Sequence, residues 1–204
     1  LVINEGRVAQ GVASLMTAWS IKGDLATLIL KDLEHTARRH PAEPSVDMAR
    51  AQLLTAAGDP EGAAAALGSR IATHPDLLDE IVTRLETLVA GRPECARVHF
   101  ELGRACHARR WVARACSWLM RAYELDHALA ESIAEPLTRL QRDFPDEPEP
   151  HIARGALYEG EARLVPAAEA FAKAVELKGA GAVSGLAGLQ RLASARERVQ
   201  SEVH

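Results

Sequence analysis

Apolar residues recur every three to four positions through most of this 204-residue chain, broken by clusters of proline, glycine and acid. That period marks helices with one buried face. Three segments match closely. Leu25, Ile29 and Leu33, then Leu77, Ile81 and Leu85, then Leu129, Ile133 and Leu137 each step by four, and successive trios stand 52 residues apart. The interruptions keep the same interval. "RRHPAEPSVDMA", "AGRPECARVHFE" and "RDFPDEPEPHIA" place Pro41, Pro93 and Pro145 in one register. Proline cannot continue a helix and disfavours helical geometry in the residue before it. These stretches are therefore turns between helices, not seams between domains.

Small residues fall into columns with the same spacing. Ala51, Gly103 and Gly155 align after the prolines, followed by Ala63, Ala115 and Ala167, and four residues later by Leu67, Leu119 and Phe171. Gly11 and Leu15 extend the last two columns towards the start of the chain. Between the helices, "AAGDPEGAAAAL" supplies Gly58 as a helix end, Asp59 as an N-cap and Pro60 for the next first turn. The expected fold is all-α, a right-handed α-solenoid of about eleven helices with no strand. Its expected divisions are a partial unit at 1–43 and units at 44–95, 96–147 and 148–204. The weakest helix is the last, "GAGAVSGLAGLQRLASARERVQ", where each glycine costs about 1 kcal/mol of helix propensity against alanine.

The helix pair after each proline resembles the tetratricopeptide repeat. The family's alternation of small and large residues falls on Gly155, Tyr158, Ala167, Phe171 and Ala174 in the last pair. In the middle pair it falls on Leu102, Gly103, Cys106, Ala115, Leu119 and Ala122, and in the first on Ala51, Leu54, Ala63, Leu67 and Pro75. Small residues let two helices approach where they cross, and larger ones fill the space beside the crossing. Ordinary repeats of this family follow every 34 residues or about that, so the longer interval here implies a third helix inserted in each unit. Were every neighbour antiparallel, three-helix units would alternate in direction. The regular columns therefore predict that one helix per unit crosses steeply or lies to one side. The chain opens on Leu1, and "NEGRVAQGVASLMTAWSIKG" aligns with the second helix of a unit, with "LVIN" at the tail of its first. That phase predicts a segment of a longer protein.

Composition narrows the function. A net charge of −4 argues against nucleic acid or an anionic membrane surface as the main partner. No apolar run reaches the length of a membrane span. Three cysteines without a Cys-x-x-Cys pair fit a reducing, cytoplasmic setting. No motif indicates a catalytic residue, a cofactor or a metal. "GAGAVSG" has the wrong spacing for a dinucleotide loop, and Cys95, His99, Cys106 and His107 read as packing residues in repeat columns rather than ligands. "DFPDEPEPH" reads as a solvated turn.

Base concentrates in the middle unit at Arg97, Arg104, His107, Arg109, Arg110, Arg114 and Arg121, interleaved with Trp111 and Trp118. In the family it resembles, one face of the first helix of each pair lines a concave groove. By column, that resemblance implies groove positions at Met48, Gln52 and Thr55, at Arg97, Phe100, Arg104 and His107, and at Glu149, Ile152 and Glu159. The family's lysine and asparagine clamp for a C-terminal carboxylate has no counterpart in these columns. The expected function is a non-catalytic scaffold for a protein or peptide, acidic because arginine pairs bidentately with carboxylate, with self-association open through the solenoid ends. The alternatives are an assembly or regulatory module of a larger enzyme or membrane-associated protein, and nucleic-acid binding through the Arg/Trp patch.

Overall fold

A computed structural model describes residues 7–177 and 179–202. The residues "LVIN" lie outside that range. The described residues form eleven α-helices and no strand. They divide into two compact units, Leu1–Ala108 and Arg109–His204. The first holds α1 (Val8–Ile21), α2 (Ala26–Arg39), α3 (Pro44–Ala56), α4 (Pro60–Gly68), α5 (Leu78–Gly91) and α6 (Ala96–Ala108). The second holds α7 (Val112–Leu125), α8 (Ala130–Asp143), α9 (Glu149–Gly160), α10 (Leu164–Glu176) and α11 (Ala180–Glu202).

The interval of 52 residues seen in the side chains is present in the backbone. Helices α1, α4, α7 and α10 start at Val8, Pro60, Val112 and Leu164, and α2, α5 and α8 at Ala26, Leu78 and Ala130. Each of the latter three follows a single 3-10 turn, at Gly23–Leu25, Pro75–Leu77 and His127–Leu129. Each also ends alike. His40, Arg92 and Phe144 adopt φ/ψ of −130/64°, −144/71° and −138/67° and donate their N–H groups to the carbonyls of Thr36, Leu88 and Leu140. Pro41, Pro93 and Pro145 come next, and the turns are closed by Glu43, Cys95 and Glu147 donating back to those three C-cap carbonyls. In the remaining series, α3 and α6 start at Pro44 and Ala96, and α9 starts one residue late at Glu149.

The turn inside each helix pair repeats in the same way. Gly58, Arg110 and Ala162 all have positive φ, at 76°, 61° and 58°. After α3 and α9, Asp59 and Arg163 donate to the carbonyls of Leu54 and Tyr158, the six-to-one bond of a Schellman ending. Asp59 then caps α4 by accepting from the Gly62 N–H at 2.9 Å.

Packing places the third helix. In the first unit α4 packs on α6 as well as on α5, and α1 on α3 as well as on α2; in the second, α7 packs on α9 as well as on α8. Helices α2, α5 and α8 therefore leave the helices that flank them in sequence in contact with each other, α1 with α3, α4 with α6 and α7 with α9. Their inner faces carry Ile29 and Leu33, Ile81 and Leu85, and Ile133 and Leu137, all buried. The pairs α3/α4 and α9/α10 are tightly packed hairpins. In α9/α10, a Cβ at Gly155 would sit 2.6 Å from the Phe171 ring, so only glycine fits that crossing.

The glycines that weaken α11 as an isolated helix have a packing role. Gly181 lies against Pro148, Gly185 against the backbone of Phe171 and the side chain of Val175, and Gly188 against the Phe171 ring, where a Cβ would come within 2.7 Å. The three share one face, and their missing side chains let α11 settle onto α10 and α9 over the fully buried Phe171.

Candidate functional site

On α6, Arg97, Phe100 and Arg104 are spaced three and four apart and share a face. Their arrangement depends on Glu101, which is fully buried and sits where the neighbouring units have Ala49 and Ala153. Its carboxylate lies against Gly68 of α4, in space that a Cβ would fill. Arg97 pairs with one carboxylate oxygen at 2.7 Å and Arg104 with the other at 2.6 Å. Both guanidiniums also approach the Phe100 ring, at 5.6 and 5.9 Å. Arginines that the sequence places as an open basic face are thus anchored from beneath. The trio with Glu101 keeps one net positive charge, and Arg97 and Arg104 remain 43% and 35% exposed. His107 is half-buried one turn further on, and Gly103 is buried.

On α3, Gln52 and Thr55 line an apolar recess of about 280 Å³ with Trp19, Leu67, Arg84 and Leu88. Met48 is buried beside it, and its carbonyl accepts from Arg84 at 3.5 Å. Another face of α3 carries a feature the columns did not mark as functional. Asp47 is 3% exposed and binds Arg70 at 2.5 Å and Arg50 at 2.7 Å. Arg70 also donates to the Pro41 carbonyl at 2.5 Å. This network joins the end of α4, the start of α3 and the proline turn. It accompanies the early end of α4 at Gly68, nine residues long where α7 has 14.

Asp47, His99 and His151 are one column, and each is held by its side chain. His99 Nε2 lies 2.8 Å from the Pro93 carbonyl, and Gln141 Nε2 lies 3.0 Å from His151 Nδ1. Burial, then the charges of Lys173 and Arg154, hold the His151 imidazole below its ordinary pKa. Arg70 falls in the column of Ala122 and Ala174, so the Asp47–Arg70 ion pair occupies two columns that hold histidine and alanine at the later positions. Both buried acids were missed because a charge at helical spacing reads as a solvated position. The signal was their place in columns filled elsewhere by alanine or histidine.

On α9, Glu149 and Ile152 line a recess of about 420 Å³ with Cys116 and Met120 of α7 and Ser184 of α11. Glu149 is half-buried, and its Oε2 has no hydrogen-bond partner among the described residues. Cys116 is 5% exposed; burial first, then the Glu149 charge, push its thiol up to about 12. Glu159, at the other end of α9, is taken up by α11, accepting from Arg191 Nη2 at 2.8 Å and Nε at 3.2 Å. Tyr158 is clasped by Arg154 and Arg163, whose guanidiniums stand 5.3 and 4.4 Å from its ring.

In the remaining basic cluster, Arg109 and Arg114 stack on Trp111 at 5.4 and 4.8 Å, Arg110 stacks on Phe144 at 4.8 Å, and Arg121 pairs with Glu124. These contacts place guanidiniums over the Trp111 and Phe144 rings, where a nucleobase would stack. Cys95 and Cys106 are buried. No described helix is long and apolar enough to cross a membrane.

No family model matches the chain, and no curated protein does. Among solved structures, it is similar to MamA from Desulfovibrio magneticus RS-1, with 20% identity, 85% of this chain and 97% of that one covered, and a TM-score of 0.29. It is also similar to TTC0263, a tetratricopeptide-repeat protein of Thermus thermophilus, with 19% identity, 92% and 98% coverage, and a TM-score of 0.28.

Proposed function

We propose that this chain is a non-catalytic scaffold that holds another protein or peptide on its helix faces, that of α6 foremost. The observation that carries this reading is the Arg97–Phe100–Arg104 face. Two guanidiniums flank an aromatic ring and are fixed in place by a buried carboxylate, while both side chains stay partly exposed. Arginines held in this way lose little side-chain entropy on binding, so an acidic group on a partner can be met bidentately at low ordering cost. The stacking of Arg109 and Arg114 on Trp111 weighs against the nucleic-acid alternative.

The test must respect Glu101. Reversing Arg97 and Arg104 to glutamate would bury a carboxylate among like charges and unfold the helix pair for reasons unrelated to binding. The informative variant is Arg97→Gln/Glu101→Gln/Arg104→Gln, which removes the surface guanidiniums and the buried charge together. Affinity capture by the wild-type chain should recover a partner that this variant loses at an unchanged melting temperature. Equal recovery by both would refute the α6 face as the binding site.

A further inference from the structure

The recess of the second unit has a chemistry unlike that of α6. Its walls are the side chains of Met120, Ile152 and Ala156, and its rim is the exposed Ala113, Ser117 and Ser184. Its anionic groups are Glu149 and Glu124, and Glu124 already carries Arg121 at 2.9 Å. That leaves Glu149, with one carboxylate oxygen buried and without a hydrogen-bond partner among the described residues. Glu149 thus offers the recess a carboxylate with no ion pair among the described residues, beside walls that are apolar. An anion is excluded by the two acids. A metal ion would have one uncommitted carboxylate and apolar walls, which is a poor ligand set for any common cation.

We infer that this recess receives a lysine or arginine side chain of a partner polypeptide, with the aliphatic stem against Met120, Ile152 and Ala156 and the cationic head on Glu149. This rests on the scaffold reading and adds a second contact of opposite sign to it. A basic side chain fits both parts of the site, because its methylenes bury well on apolar walls while its head seeks charge. The volume of about 420 Å³ accommodates one such side chain with neighbouring backbone. The exposed small residues of the rim leave room for a chain to run along α7 and α11, which a free polyamine would not use.

The experiment titrates the full chain with fluorescein-labelled short peptides of alanine and leucine that are identical except for a central arginine, citrulline or glutamate. Citrulline keeps the shape of arginine and removes its charge. The arginine peptide should bind about tenfold or more tightly than the citrulline peptide, the value of one charge-assisted hydrogen bond in a buried site. Glu149→Gln should abolish that preference. The inference is overturned if arginine and citrulline bind alike, if neither binds, if the preference survives in Glu149→Gln, or if spermidine alone binds as tightly as the arginine peptide. The comparison of peptides on the wild-type chain stands even if the variant is unstable. The two readings also fail separately: partner capture lost in the α6 variant, together with indifference to the arginine peptide, refutes the recess and leaves the scaffold standing.

Discussion

Arg110 and Ala162 hold backbone angles that suit glycine, and the residue at the equivalent turn, Gly58, is one. A left-handed φ costs a side-chain-bearing residue about 1–2 kcal/mol. Glycine removes that strain but adds freedom to the unfolded chain, which takes back part of the gain. Ala162 is exposed and contributes no buried contact. Ala162→Gly should therefore stabilise the second unit by about 0.5–1 kcal/mol, seen as a rise of a few degrees in melting temperature. Arg110→Gly should gain less, because Arg110 also stacks on Phe144. Nothing in "HARRWV" or "YEGEARL" marks these turns as left-handed. The mark was Gly58, one and two intervals of 52 residues away. His151 gives a pH signature. Its folded pKa lies below its unfolded value near 6.5, so the unfolded chain binds the proton more readily. The stability this contributes is complete above the unfolded pKa and is lost as pH falls through the folded one. Replacing His151→Gln should flatten the fall in melting temperature on going from about pH 7 to about pH 5.

Helices show the same division between what the pattern reveals and what it hides. The apolar stripes of α2, α5 and α8 were plain because Leu and Ile at four-residue steps are a strong signal. The early end of α4 was hidden, because Arg70 in a helical stretch reads as surface until Asp47 is seen beneath it. Helix α11 was underrated because propensity counts a glycine's weakness and cannot see the neighbour it accommodates. Gly155 is the sharpest test of helix crossing. Gly155→Leu would drive a side chain into the Phe171 ring, overpacking that costs about 1–3 kcal/mol. A thermal melt should show that loss, whereas Gly179→Ala, which meets nothing within 4 Å, should cost only its positive-φ strain. Of the residues grouped by column, Gln52, Thr55, Glu149 and Ile152 line recesses. The electrostatics of α6 were not legible in the sequence, because which arginine is anchored depends on the buried Glu101, which no local spacing identifies.

For the chain as a whole, the account rests on a three-helix unit of 52 residues in which two tetratricopeptide-like helices pack on those of adjacent units and the third lies alongside. Stability in such an array comes from contacts within units and between nearest neighbours. Removing one whole interval should then preserve every kind of interface, while removing another length should not. Deleting Pro93 through Phe144 joins Arg92 to Pro145 at two turns of matching backbone geometry. Deleting Pro93 through Asp126, the length of an ordinary tetratricopeptide repeat, runs α5 straight into the 3-10 turn before α8. Circular dichroism melts of the two shortened chains provide the most direct test. The first should keep the parent's helicity per residue and a cooperative transition, and the second should lose both. Equal folding of the two, or collapse of the first alone, would contradict the repeat.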